Sequence, residues 1–234
     1  MKKILLSLSL LLGLASGLGA QTFSFSNENL NYGIRHNLFP GNIGSMTFQG
    51  AASGENYHVD ATLKASIVGL YTLDCTYGST FRQDAGVTPV SATRSQTEKN
   101  YWAKGSYNWS APGKVHLNVT KSTRPPRNQD LTWSGTVRDL LGMIWWLRTL
   151  DYSHGTPAIG SNALLLDHDA LPVSIASCTK RTIRFNGKQT PVIEIILSQE
   201  GKEALSVTLT DDANRTPLKF SIGLSFGTIR GTLR

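Results

Sequence analysis

Between Tyr57 and Ile67 polar and apolar residues alternate without interruption, with His58, Asp60, Thr62 and Lys64 set against Val59, Ala61, Leu63 and Ala65. In an extended chain, a period of two places one set on one face and the second set on the opposite face. Such a segment is a strand with one side on a core and the other in water.

The pattern recurs along the chain in short segments punctuated by glycine, asparagine and aspartate. Leu30 to Asn37 and Ile43 to Gln49 flank Leu38-Phe-Pro-Gly-Asn42 and read as a first hairpin; Gly69 to Tyr77 follows the segment described above. Tyr101 to Tyr107 and Val115 to Thr120 resume the pattern, then Ala163 to Leu166 and Leu171 to Ser177. Thr182 to Phe185 and Val192 to Leu197 bracket Asn186-Gly187, a strong hairpin signal. Leu205 to Thr210, Leu218 to Leu224 and Thr228 to Leu233 end the chain, joined by Asp211-Asp-Ala-Asn-Arg215 and Ser225-Phe-Gly227. The expectation is on the order of ten strands or more.

Two polar segments interrupt this series. Residues 82–99, with Arg82, Gln83, Asp84, Pro89, Arg94, Ser95, Gln96, Glu98 and Lys99, read as a surface crossing between strands. Lys121-Ser-Thr-Arg-Pro-Pro-Arg-Asn-Gln-Asp130 carries two consecutive prolines, which argue against a ladder strand. It reads as an exposed basic loop, with a partner site as the functional alternative.

One stretch is helical in character, from Thr136 to about Leu150. Thr136 can cap it, and Asp139 three places later can answer in a capping box. Val137, Leu140, Leu141, Met143, Ile144, Trp145, Trp146, Leu147 and Leu150 cover nearly every angle of the axis, as in a buried helix. The fold class is therefore α+β, mostly β, with one central apolar helix covering a sheet face or closing a mouth.

The first twenty residues are a different kind of segment. Lys2 and Lys3 precede an apolar run from Ile4 to Leu14 and the small-residue stretch Ala15-Ser-Gly-Leu-Gly-Ala20, the three parts of a secretory signal. A transmembrane anchor needs about 20 apolar residues, more than this run supplies, and no second such stretch follows. Cleavage after Ala20 leaves a single β-rich domain, residues 21–234, in the periplasm or outside the cell. No cysteine lies near the cut to carry a lipid. Loss of Lys2 and Lys3 takes the formal charge from +7 to +5. The remaining basic residues are scattered, which disfavours nucleic acid as a partner.

Cys75 and Cys178 are the two cysteines. In an oxidising compartment such a pair can form a bridge; the alternative, favoured here, is two buried thiols in separate strands.

The search for catalytic chemistry finds no nucleophile elbow, phosphate loop, dinucleotide fingerprint or zinc-binding His-Glu-x-x-His helix. No catalytic residue, metal ligand set or cofactor is assigned. Asp167-His168-Asp169 could hold a metal with His154 or His36, but neighbours in a strand diverge, and a solvated turn between Leu166 and Leu171 is preferred. Asp211 and Asp212 resemble a carboxylate pair, yet as turn residues they bond their own backbone. Asn108-Trp-Ser110 and Asn118-Val-Thr120 match the glycosylation acceptor pattern but overlap strands and are discounted. Tyr101, Trp102, Tyr107 and Trp109 could stack on sugars, although cross-strand pairing explains them as well.

Three motifs appear in order along the chain: Leu30-Asn-Tyr-Gly-Ile-Arg35 with Gly41-Asn-Ile-Gly-Ser45; Asp139-Leu-Leu-Gly-Met-Ile-Trp-Trp-Leu-Arg148; and Leu209-Thr-Asp-Asp212, Arg215-Thr-Pro-Leu218 and Phe226-Gly-Thr-Ile-Arg-Gly-Thr-Leu233. With these the chain resembles DUF3108, a bacterial envelope family known as a domain of unknown function. The resemblance spans nearly the whole mature chain and departs in the longer polar segment between Arg82 and Lys99. It implies a fold similar to the lipoprotein carriers: a curved, incompletely closed antiparallel barrel with the helix packed on its concave side. It brings no activity or catalytic residues with it.

The expected function is a non-enzymatic domain holding a hydrophobic ligand or peptide between sheet and helix, with Leu141, Ile144, Trp145 and Trp146 facing it. The rival is a structural or assembly partner of an outer-membrane system, with those residues filling a packed core. An enzyme is the third and weakest expectation.

Overall fold

The alternation is most complete in β3 (Asn56–Ile67), where every second residue from Tyr57 to Ala65 is buried. The protein is a computed structural model that describes residues 24–67, 71–84, 86–224 and 227–234. The expected export signal over residues 1–20, Gly69 at the start of an expected strand, and Ser225-Phe226 lie outside the described residues.

Before and after β3 the chain runs as successive hairpins: β1 (Glu28–His36), β2 (Phe39–Ser53), β4 (Tyr71–Arg82), β5 (Pro89–Glu98), β6 (Tyr101–Ala111), β7 (Lys114–Lys121) and β8 (Arg124–Thr132). The second series is β9 (Thr136–Arg138), the helix α1 (Leu140–Thr149), β10 (Asn162–Leu166), β11 (Asp169–Phe185), β12 (Lys188–Gln199), β13 (Lys202–Thr210), β14 (Pro217–Leu224) and β15 (Gly227–Leu233). Among the described residues the fifteen strands form one sheet, in the order β8 through β1, then β15 back through β9. The pairs are antiparallel except β9 with β10, which run parallel.

This order forces curvature. Strands β8 and β9 are the two outer edges of the sheet, yet only residues 133–135 separate them in sequence. In a flat sheet the edges would stand about 65 Å apart at the usual strand spacing. The connecting residues span at most about 14 Å. The sheet must therefore coil until its edges come together.

They meet through side chains and loops. Ala92, Tyr107, Val115, Leu117 and Val119 of β5 to β7 pack against Val137, Ala163 and Leu165 of β9 and β10. Val137 N donates to Pro112 O (2.9 Å), and the Trp109 indole donates to Val137 O (2.9 Å). The result is the expected mostly β fold, a curved sheet whose edges overlap without closing a barrel. Close approach at glycine helps the coiling: a Cβ at Gly50 would collide with the Tyr57 hydroxyl, and one at Gly231 with the Phe220 ring.

Helix α1 lies inside the curve, with every residue from Leu141 to Arg148 buried. It is shorter at its start than expected. Thr136 to Arg138 is strand β9, and Asp139 is itself the N-cap, accepting from Leu141 N (3.0 Å) and Gly142 N (3.2 Å). The β-branched Thr136 and Val137 suit a strand, and the pairing of β9 to β10 takes precedence over a longer helix. At the far end Arg148 is buried in an ion pair with Glu28, while Arg215 donates to the carbonyls of Arg148 (3.0 Å) and Leu150.

Two expected loops are strands. Residues 89–98 form β5, whose inward positions are largely polar and so disguise the alternation. Residues 124–132 form β8, exposed along almost its whole length. As an edge strand it pairs on one side only, so Pro125 and Pro126 are tolerated there.

The cysteines lie on β4 and β11 and are not bonded to one another. Cys75 is buried as expected; Cys178 is only half-buried, one residue beyond the irregular pairing between Ile175 and Ser177.

Candidate functional site

The inward face of the coiled sheet is not filled everywhere by α1. A cavity of about 540 Å³ remains between the start of the helix and the strands around it. That is within the range of about 300–1,000 Å³ for small-molecule sites. Its wall is mostly apolar: Met46, Leu63 and Leu73 come from β2 to β4, Phe220 and Ile222 from β14, and Leu141 from the helix.

One strip of the wall is polar. Arg94, Gln96 and Glu98 occupy alternate positions of β5 and all line the cavity. The Arg94 guanidinium reaches Gln96 Oε1 through Nη2 and lies 3.5 Å from Asp167 Oδ1 through Nη1. Gln96 in turn donates to Glu98 at 3.3 Å. Asp167, at the β10–β11 turn with a left-handed φ of 62°, also accepts from Lys121 and from the His168 ring at 2.8 Å.

Asp167 and His168 are thus folded against the sheet, not solvated as the sequence suggested, while Asp169 stays exposed. The side chain of Asp167 is 24% exposed and that of His168 14%. Coiling brings the turn over β5 and β7, which local sequence could not show. Burial works against ionisation of Asp167, but hydrogen bonds from Lys121 and His168, with the charges of Lys121 and Arg94, outweigh it and lower its pKa. Among the described residues no group of three histidine, cysteine, aspartate or glutamate side chains is placed to hold a metal.

The neutral groups on the wall are held un-ionised. Burial pushes the Cys75 thiol up to about 11 and the Tyr107 phenol up to about 12, and it raises Tyr77 as well. A thiol so shifted is a poor nucleophile. Asp139 borders the cavity: burial raises its pKa, opposed by hydrogen bonds from Ser79 and the helix amides.

Of the four residues expected to face a ligand, Leu141 is on the cavity wall, joined by Leu140. Ile144, Trp145 and Trp146 are buried away from it. The Trp145 ring is fully buried between Phe48 (centroids 5.7 Å apart), Tyr57 (6.4 Å) and the Arg148 guanidinium (5.2 Å). Trp146 lies under Arg138 at 4.3 Å. The helix presents its first turn to the cavity and its remaining length to the core.

The aromatic group of β6 is divided in the same way. Tyr101 and Tyr107 line the cavity, Trp102 is exposed on the other face, and the Trp109 indole is bonded to the backbone of β9. The polar strip on β5 is what sequence reasoning missed. Its signal was present in the spacing of Arg94, Gln96 and Glu98, which share the parity of the buried Ala92.

No curated protein matches the chain. Among solved structures it is similar to the crystal structure of a β-barrel-like protein of domain of unknown function DUF1849 from Brucella abortus. The TM-score is 0.59 at 11% sequence identity, covering 91% of this chain and 97% of that one. That likeness is one of fold. Residues 29–234 match the profile described as "Protein of unknown function (DUF3108)", and the chain belongs to that family.

Proposed function

We propose that this chain is an exported, non-enzymatic envelope domain that holds a hydrophobic ligand in the cavity between the coiled sheet and the first turn of α1. The cavity carries this reading: about 540 Å³ lined mainly by apolar side chains, beside a core of buried apolar residues. Leaving such a volume empty costs contacts that a packed core would make. Export is supported by Lys2, Lys3, the apolar run to Leu14 and Ala20. The wall offers a strongly shifted thiol and phenols in place of an activated nucleophile, which favours binding over catalysis.

The test is binding of the neutral, environment-sensitive dye N-phenylnaphthylamine to the full chain. Blue-shifted saturable fluorescence is expected, lost in Ile222→Trp, which fills the cavity from β14. Lipid extracted with the protein from the envelope fraction and identified by mass spectrometry would name the natural occupant. Absence of dye binding by a natively melting protein would favour the packed-core assembly role.

A further inference from the structure

The wall of the cavity has an asymmetry that a purely apolar ligand would leave without a purpose. Three successive inward positions of β5 carry polar side chains, and the first of them is a guanidinium, Arg94, whose side chain is only 22% exposed. Resting on the reading that the cavity is occupied, we propose that its ligand is an amphiphile with a carboxylate headgroup, received by Arg94 while its tail lies along the apolar wall.

The charge arrangement around Arg94 supports this. Its anionic neighbour is Asp167, but that carboxylate is held more closely by Lys121 and by His168 at 2.8 Å than by Arg94 at 3.5 Å. A separation of 3.5 Å is at the outer limit of a hydrogen bond. The Nε of Arg94 is buried without a hydrogen-bond partner. Arg94 is therefore a partly desolvated cation loosely committed to its partner, the setting in which a charge-assisted bond to an incoming anion is strong.

The same surroundings select the kind of headgroup. Asp167 and Glu98 both border the cavity, so a second negative charge on the ligand would meet repulsion. A carboxylate brings one charge and two oxygens matched to the guanidinium fork, whereas a phosphate monoester brings nearly two charges. A cationic head is disfavoured because Arg94 is already the cation among Tyr77, Tyr101 and Tyr107. For the tail, Leu73, Leu63, Met46, Phe220 and Ile222 supply a continuous choice of apolar contacts.

The experiment displaces N-phenylnaphthylamine from the full chain with four twelve-carbon amphiphiles: dodecanoate, dodecanol, dodecyl phosphate and dodecyltrimethylammonium. Dodecanoate is expected to displace the dye at a concentration about tenfold or more below dodecanol, the advantage of a charge-assisted hydrogen bond. In Arg94→Met that advantage should vanish while dodecanol is unaffected. In Asp167→Asn it should grow, because the competing carboxylate is gone; this variant also serves if Arg94→Met fails to fold. Equal displacement by dodecanoate and dodecanol overturns the proposal, as does preference for the phosphate or the ammonium, or an unchanged ratio in a natively melting Arg94→Met. If the dye never binds the parent, the cavity reading itself fails, an outcome distinct from loss of headgroup preference.

Discussion

Arg148 and Glu28, 120 residues apart in sequence, form a bidentate ion pair inside the coil, with Nη1 to Oε2 at 2.7 Å and Nη2 to Oε1 at 2.6 Å. The guanidinium is 1% exposed and also lies over the rings of Phe25 (4.9 Å) and Trp145 (5.2 Å). It ties the last turn of α1 to the first strand of the sheet.

Breaking that pair from one side should be costly, since the partner is left as a buried charge. Arg148→Met and Glu28→Gln are each expected to lose about 3–5 kcal/mol by urea unfolding. The double variant should lose less than the sum of the two, because neither charge is then orphaned. Additive losses would show that the two side chains are not energetically coupled.

The indoles of α1 should behave as core. Trp145→Ala is expected to cost about 3–5 kcal/mol, and Trp145→Phe should also destabilise, because the indole fits between Phe48 and Tyr57. Neither should change the headgroup preference measured by dye displacement, whereas Leu141→Ala, on the cavity wall, should alter dye affinity. A Trp145→Phe protein with parental stability and altered binding would place that indole on the ligand instead.

Asp139 makes stability depend on pH in a definite direction. Its folded-state pKa is raised, chiefly by burial, so the folded protein takes up the proton more readily than the unfolded chain. Its contribution is fully present below the ordinary carboxylate range and is lost as pH rises through the raised value. Asp139→Asn keeps an acceptor for Leu141 N and Gly142 N but has no such titration. Urea midpoints measured against pH should therefore show the variant gaining on the parent above that range. A gap between the two that is constant with pH would contradict this.

The thiols should differ in reactivity. Burial raises the pKa of both, but Cys75 is buried and Cys178 half-buried. Ellman's reagent should therefore modify Cys178 faster in the folded protein. Unfolding without reductant should expose two thiols, and a count of zero would reveal a bridge.

How far the sequence spoke for itself depended on whether a residue's surroundings are local. Strand β3 and the Asn186-Gly187 turn were legible because their pattern follows from backbone geometry alone; both turn residues have the positive φ that such a hairpin needs. The apolar helix was legible too, but its start was not: Thr136 looks like a cap until β10 is available to pair with β9. β8 was hidden by prolines that only an edge position permits, and nothing local reveals which strand is the edge. The cavity was hidden for a chemical reason. Large apolar side chains drew attention to Trp145 and Trp146, while the cavity is marked by polar residues of β5 pointing the wrong way for a surface.

The order of strands carries a consequence for how the molecule is assembled. Each of β2 to β8 pairs with the strand made just before it, so that half can form by short-range zipping as the chain emerges. The pairing of β1 with β15 joins Tyr32 to Leu233, and the loop it closes is nearly the whole domain. Contacts of such long range are slow to form. Until they do, β1 presents an open row of amides and carbonyls at what will become the centre of the sheet. The last strand is thus a keystone: its arrival converts two independent ribbons into a single coil, and the interval before it is when a nascent chain is most exposed to pairing with a neighbour.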